Sequence, residues 1–338
     1  MNSFLVLPVA FFLSFIGTWG IIKLATYKHW LDQPNERSSH VAPTPTGGGV
    51  AFVLVFSVVA FFAFSSSDPG FNLFAVIVLS VAITLLGLMD DIYNLGIRYR
   101  IGSQCLVVAG ALALFDIPGI PVGDLVFEPG LAGVVIAALG TLWFINLFNF
   151  MDGIDGLAAG EGIFIFLAAA FLIFEQDATG FSLLLLIITA CLCGFLLLNL
   201  PPAKIFMGDT GSNFLGFFIA VTALASTSLG YTNIWTWCIL PGVFICDATY
   251  TLVARMLSGE TWYFAHRRHA YQLATYYFSS HAKVLGIIWL INCLWLLPLA
   301  WLAHQQSGLG LLLTLIAWFP LFLLAWFIAR TLLAKSTS

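Results

Sequence analysis

The feature that most constrains this chain is a succession of long, unbroken apolar runs. A membrane-spanning helix needs about 20 mostly apolar residues. Runs of that order recur at 4–23, 47–65, 71–89, 102–116, 130–148, 157–174, 180–199, 212–229, 233–255, 283–303 and 308–330. They lack the alternating ~10-residue strands of a membrane β-barrel. Of the 338 residues, 61% are hydrophobic and 8% are charged, where a soluble domain carries about 25% charge. So little charge cannot surround so much apolar surface in water, which excludes a soluble enzyme, a nucleic-acid binder and a disordered chain. The expected fold class is an all-α integral membrane protein: a multi-span bundle of about eleven transmembrane helices forming one polytopic domain over 1–338. The run 102–116 is the shortest, and ten crossings result if it does not span.

Placement of charge tests that count. With eleven crossings, the loops 24–46, 90–101, 149–156, 200–211 and 256–282 and the C-terminal tail share one side. All twelve Lys and Arg residues lie there or at the adjoining helix ends, whereas Asp68, Asp116, Asp124, Glu128, Glu175 and Asp177 lie on the other side. The positive-inside bias makes the basic side cytoplasmic, with a periplasmic N-terminus and a cytoplasmic C-terminus. The first run has no basic leader segment and no small-x-small cleavage site, and reads as a retained helix. The six cysteines read as small buried hydrophobes.

Four polar clusters fall on the basic side. Asp90 and Asp91 end the third run, where adjacent acids repel, lose hydration and meet an unfavourable helix dipole. A metal, a cationic partner or a proton would relieve them; a helix-end pair facing water is the alternative. In N-L-F-N-F-M-D-G-I-D-G-L, Asn146, Asn149 and Asp152 recur every three residues and share one helical face, with Asp155 following. This cluster reads either as a ligand site or as a polar helix junction. N-L-P-P-A-K-I-F-M-G-D-T-G-S-N carries Asn199, Lys204, Asp209, Thr210 and Ser212. Pro201 and Pro202 stop a helix, and Thr210 or Ser212 can cap the next, whose first amides suit an anion. A plain capped turn is the alternative. The loop 256–282 follows Arg255 and holds His266, Arg267, Arg268 and His269, whose charge and fork geometry suit phosphoryl oxygens. Zinc binding or a basic membrane-facing loop are its other readings. P-T-P-T-G-G-G, Pro43 to Gly49, opens the second run as a flexible entrance, a phosphate contact or a turn. Glu161, isolated in an apolar run, lines either the site or the interior of its helix.

Oxygen donors of this kind favour Mg²⁺ or Mn²⁺, and the nearby Arg, Lys and His favour a phosphorylated substrate. The residues alone point to metal-assisted phosphoryl transfer at the bilayer face, between a water-soluble and a lipid substrate. A secondary transporter for an anionic solute is the competing class. Transporters, however, place their polar groups near the midplane, often in inverted repeats, and no repeat is evident here.

Taken in order, P-T-P-T-G-G-G, the Asp90–Asp91 pair, N-F-M-D-G-I-D-G-L, K-I-F-M-G-D-T-G-S and the histidine loop resemble the polyprenyl-phosphate N-acetylhexosamine-1-phosphate transferase family (glycosyltransferase family 4). H-R-R-H-A-Y-Q is more similar to the O-antigen and common-antigen initiating branch than to the branch making peptidoglycan lipid I, which has a denser histidine triplet. The resemblance implies a bundle of ten or eleven helices in the bacterial inner membrane with a cytoplasmic active site. The implied partners are a UDP-N-acetyl amino sugar, undecaprenyl phosphate and the lipid bilayer, with a homodimeric assembly and no nucleic acid. It further implies that Asp209 is the Mg²⁺ ligand and that Asp90, beside Asp91, activates the lipid phosphate. Asp152 and Asp155 match the family's third acidic motif. His266 and His269 occupy its histidine motif, with Arg267 and Arg268 near phosphate. Asn149 and Lys204 match polar residues around the nucleotide and diphosphate. Asn146, Asn199 and Arg255 are further candidate substrate contacts.

Overall fold

The computed structural model describes residues 3–33, 43–65, 71–174, 176, 178–260 and 267–336. His266 and Arg37 lie outside them, as do Asp68, Glu175 and Asp177. The architecture is all-helical: α1 (Ser3–Lys28), α2 (Gly49–Ala63), α3 (Leu73–Tyr93), α4 (Ile97–Leu112), α5 (Gly130–Met151), α6 (Leu157–Phe174), α7 (Thr179–Asn199), α8 (Gly208–Ser228), α9 (Ile234–Ile239), α10 (Gly242–Leu257), α11 (Ala270–Phe278), α12 (His281–Ile291), α13 (Leu297–Gln305) and α14 (Gly310–Ser336). Two short hairpins accompany them: β1 (Leu31–Asp32) pairs with β2 (Thr44–Pro45), and β3 (Ile120–Val122) with β4 (Leu125–Phe127).

Every apolar run expected to span coincides with a helix or a broken helix. Among the described residues, eight helical stretches are long and apolar enough to cross a membrane: α1, α3, α5, α6, α7, α8, the 281–305 stretch and the 307–332 stretch. α2 is shorter, and α4 has 16 residues, about 24 Å at 1.5 Å per residue. The run 233–255 is two helices rather than one. α9 ends before Pro241, which has no amide to continue the ladder, and α10 restarts at Gly242. The run 283–303 is also interrupted: Asn292–Leu296 forms a π-helical turn ahead of Pro298, where the wider turn accommodates the missing proline amide.

α8 is the axis. It is buried along nearly its whole length and packs against α2, α3 and α5. Phe52, Phe56, Phe166, Phe214 and Phe218 fill the layer around it; Phe56 and Phe218 centroids are 4.9 Å apart, and Phe214 stacks on Phe218 at 5.3 Å. Glycines set the close approaches. A side chain at Gly87 would strike the Asp209 carbonyl, one at Gly216 the Phe144 carbonyl, and one at Gly49 the backbone of Gly211. α1 and α14 instead expose Phe12, Ile16 and Trp19, and Leu315, Phe319 and Trp326. This is the outward apolar surface that a lipid environment permits.

The two ends of the bundle differ. At one end, hairpin β3–β4 is stitched to the helices by the Trp235 Nε1 bond to the Pro121 carbonyl and the Gly123 amide bond to the Gly308 carbonyl. The other end carries the C-termini of α3, α5 and α7 and the N-termini of α4, α6 and α8, and there the polar motifs meet.

Candidate active site

The acids at the end of α3 have separate partners. Asp91 accepts from the Asp209 amide at 2.9 Å, the Thr210 amide at 3.2 Å and the Thr210 hydroxyl at 2.6 Å. It therefore caps α8 from another helix, satisfying first-turn amides with no intrahelical partner. Gly208 makes room for it: with φ +75, a side chain there would sit 2.7 Å from Asp91 Oδ2. Asp90 is buried, accepts from the Leu95 amide at 2.8 Å and pairs with Arg100 at 3.2 Å. The same Arg100 Nη1 lies 3.9 Å from Asp209 Oδ2. Arg100 is thus the cation linking two of the motifs, and it was not among the sequence candidates. Its signal was there: a basic residue ten positions beyond the acids, at the start of the next helix.

Asp209 sits at the first turn of α8, where the helix dipole favours negative charge. Its Oδ1 accepts from Asn149 Nδ2 at 2.7 Å, and Asn149 also donates to Ser212 Oγ at 3.3 Å. The carboxylate is 30% exposed, so one edge is open. Asp152 caps α5 below it. Burial first, then the charges of Asp209, Asp91 and Asp155, push its carboxyl up to about 8. This mutual repulsion among oxygen donors is what a cation relieves.

Among the described residues, no three His, Cys, Asp or Glu side chains form a ready-made metal cage. The donors present suit a hard cation of another kind. Mg²⁺ commonly binds through one or two carboxylates and completes its shell with water and substrate phosphates, and the open edge of Asp209 above Asp152 fits that mode.

The remaining candidates divide by position. Asp155 accepts from the Ala203 amide at 3.0 Å and lies 3.3 Å from His281 Nδ1. Asn199 accepts from the Gly156 amide at 3.0 Å and donates to the Ile205 carbonyl at 2.9 Å. Both tie the 152–156 turn to the 200–207 loop. Asn146 lies one turn deeper than Asn149, donating to Gln104 Oε1 at 3.1 Å and to the Leu142 carbonyl at 2.8 Å. Lys204 is exposed at the mouth. The Pro43–Gly49 segment runs along the same loop: the Gly48 and Gly49 amides donate to the Phe206 and Met207 carbonyls at 3.0 Å each.

The histidine loop forms a second ensemble around Asp247, which was not a sequence candidate. Asp247 accepts from the Ala270 and Tyr271 amides at 2.9 Å each and lies 3.3 Å from His269 Nδ1. It does for α11 what Asp91 does for α8. Tyr271 donates to the Phe150 carbonyl at 3.0 Å and covers Gly153, where any side chain would strike its hydroxyl. His269 is therefore held one layer from the acid cluster, stacked near Phe150 with centroids 6.5 Å apart. Arg255 is buried and bonds Glu260 Oε2 at 3.2 Å, and Arg268 pairs with the same carboxylate. Arg267 is exposed.

Residues 73–227, which run from α3 through α8 and contain Asp90, Asp91, Asp152, Asp155 and Asp209, match the glycosyl transferase family 4 model. The chain is 30% identical over 268 residues to a probable undecaprenyl-phosphate N-acetylglucosaminyl 1-phosphate transferase of Bacillus subtilis (strain 168), covering 78% of this chain and 74% of the relative. It is 31% identical to a phospho-N-acetylmuramoyl-pentapeptide-transferase of Shouchella clausii, covering 74% and 80%. It is 30% identical to a decaprenyl-phosphate N-acetylglucosaminephosphotransferase of Mycobacterium leprae, covering 76% and 73%.

Proposed function

The chain belongs to glycosyl transferase family 4, among the polyprenyl-phosphate N-acetylhexosamine-1-phosphate transferases, and from that premise we propose its reaction. It transfers an N-acetylhexosamine-1-phosphate of the GlcNAc, FucNAc or QuiNAc type from a UDP-sugar to undecaprenyl phosphate. The products are undecaprenyl-diphospho-sugar and UMP. This is the first membrane step of O-antigen or a related envelope polysaccharide, in an eleven-crossing protein of the bacterial inner membrane with its site facing the cytoplasm. Relatives of both the N-acetylglucosaminyl 1-phosphate and the phospho-N-acetylmuramoyl-pentapeptide type align at about the same identity, so the preference for the O-antigen branch rests on H-R-R-H-A-Y-Q.

One observation carries the reading: Arg100 and Asn149 gather Asp90 and Asp209, with Asp91 and Asp152, at one end of the bundle. Four acids there need a cation, and a diphosphate brings the remaining oxygens. In this reading Asp209 would hold Mg²⁺ by its open edge, with Asp152 beside it. The bound ion supplies charge neutralisation of the diphosphate and a better leaving group. Asn149 fixes the Asp209 rotamer. Asp90 has no hard proton to remove, because a phosphate monoester is largely ionised near neutral pH. Its carboxylate holds Arg100 so that the guanidinium faces the transferred phosphoryl oxygens, where developing charge is stabilised. The exposed Arg267, Arg268 and Lys204 provide further positive groups around the mouth, and His269, buried at Asp247, holds the start of α11 behind them.

The test uses purified protein with undecaprenyl phosphate, Mg²⁺ and a panel of labelled UDP-amino sugars. UMP release with label appearing in lipid, lost on chelation and restored by Mg²⁺ or Mn²⁺, is the expected result. Solute uptake into proteoliposomes without lipid product would replace the reading with a transporter.

A further inference from the structure

In the bundle interior, little more than one turn into α6 beyond the 152–156 turn, two polar side chains face each other with no access to water. Glu161 on α6 is 1% exposed and Asn292, first residue of the π turn, is 0% exposed. Asn292 Nδ2 donates to Glu161 Oε2 at 2.6 Å. The other oxygen of each group, Glu161 Oε1 and Asn292 Oδ1, is buried without a hydrogen-bond partner. Two orphan acceptors on adjoining planar groups are costly in a low-dielectric interior, and an ionised carboxylate there is costlier still. A single proton removes both costs. Placed on Oε1 and donated to Oδ1, it closes an eight-membered acid–amide ring of two hydrogen bonds.

We propose that Glu161 is held as the neutral acid, paired through two hydrogen bonds with Asn292, and that this pair is a positioning device for the site. The positioning follows from the stripe that α12 lays along α6. His281 lies at Asp155, Leu285 packs over Gly156, Trp289 packs over Gly160 and Asn292 holds Glu161. A glycine is required at 160, where a side chain would sit 2.9 Å from the Trp289 indole nitrogen. Apolar contacts of this kind slide at little cost in a membrane bundle, whereas a two-bond polar pair has one register. Fixing that register fixes His281 against Asp155, and so the 152–156 turn that carries Asp152. The π turn belongs to the same device, since it widens the helix at the residue that makes the bond.

The proton assignment stands independently of the transfer reaction; the positioning role rests on it, and the experiment separates the two. Infrared difference spectra of the full chain in lipid nanodiscs, wild type minus Glu161→Gln, are expected to contain the C=O band of a protonated carboxyl. Thermal unfolding and sugar-phosphate transfer are measured on the same samples. Glu161→Gln presents an amide that makes the same two bonds, so it keeps the melting temperature and stays within about twofold of wild-type turnover. Asn292→Leu leaves the acid without a partner, lowering the melting temperature by several degrees and turnover roughly tenfold. A carboxylate band in place of the acid band overturns the proton assignment, as does a Glu161→Gln protein as impaired as Asn292→Leu. An Asn292→Leu protein with wild-type melting and turnover overturns the positioning role. If no variant or wild type transfers sugar phosphate, the spectra and the melting temperatures still decide the pairing while the reaction itself fails.

Discussion

Single residues of one type do different work at this site, and their partners tell them apart. Asp209 keeps an open edge, whereas Asp91 spends its oxygens on the Asp209 and Thr210 amides and the Thr210 hydroxyl. Asp209→Asn preserves size and the Asn149 contact but removes the charge that would hold the proposed cation. It is expected to lower kcat roughly 10²–10³-fold with an unchanged melting temperature. Asp91→Ala uncaps α8 and is expected to cost about 0.5–2 kcal/mol of stability, read in thermal unfolding of the apo protein. Asp152 gives a pH signature. Its ordinary value is 3.8 and the folded protein raises it to about 8, by burial and then by Asp209, Asp91 and Asp155. Between those values the unfolded chain is ionised there while the folded one retains its proton, so this group's contribution to stability falls as pH rises and levels off above about 8. With a chelator present, the melting-temperature advantage of Asp152→Asn over wild type should grow from pH 4 to pH 8 and then stay constant. A constant advantage across that range would contradict the assignment. At this scale the sequence was legible wherever a charge is rare. The acids and Asn149 stand out against an apolar background, but Arg100 counted only among the basic residues of one side and Asp247 was no candidate within its apolar run, because their importance comes from partners distant in the chain.

At the scale of elements, the acids reach one another because backbone approaches backbone. Gly87 lets α3 lie against the first turn of α8, where a side chain would strike the Asp209 carbonyl. Gly87→Ala must separate the two helices, carrying Asp91 away from the amides it caps. Overpacking of this kind costs about 1–3 kcal/mol, and the expected result is a lower melting temperature together with lost turnover. The same substitution at Gly286, where no atom lies within 4 Å of the added carbon, should leave both unchanged, and the pair measured side by side checks the argument. Hydropathy located the helices well because each run follows from length and composition alone. It missed their interruptions. Pro241 was visible, but the apolar residues on both sides made one window of 233–255, and a π turn at Asn292–Leu296 has no compositional mark apart from Pro298. Likewise α11 and its cap by Asp247 depend on a contact between residues 22 to 24 positions apart, which no local pattern contains.

For the whole molecule, the decisive property is which end of the bundle faces which compartment. Lys23 and Lys28 near the end of α1, Arg98 and Arg100 at the start of α4, Lys204, Arg255, Arg267, Arg268, Lys283 and Arg330 lie at or near the end that gathers the acids. Asp124 and Glu128 flank the strand β4 at the other end. By the bias against moving Lys and Arg across a membrane, the proposed orientation has the acid cluster facing the cytoplasm. In the proposed reaction a nucleotide sugar, charged and unable to cross lipid, must meet the lipid phosphate on the side where it is made. Lys204→Cys and Asp124→Cys test this at exposed positions on opposite ends. In intact cells, a membrane-impermeant thiol reagent should modify Cys at 124 at once and Cys at 204 only after permeabilisation, with the wild-type chain giving the background from its native thiols. The reverse pattern would put Asp209 and its neighbours on the face that no UDP-sugar reaches, and the transfer reaction would have to be abandoned however well the residues fit it. Equal labelling of both positions in intact cells would instead break the opposition of the two ends on which the crossing count depends.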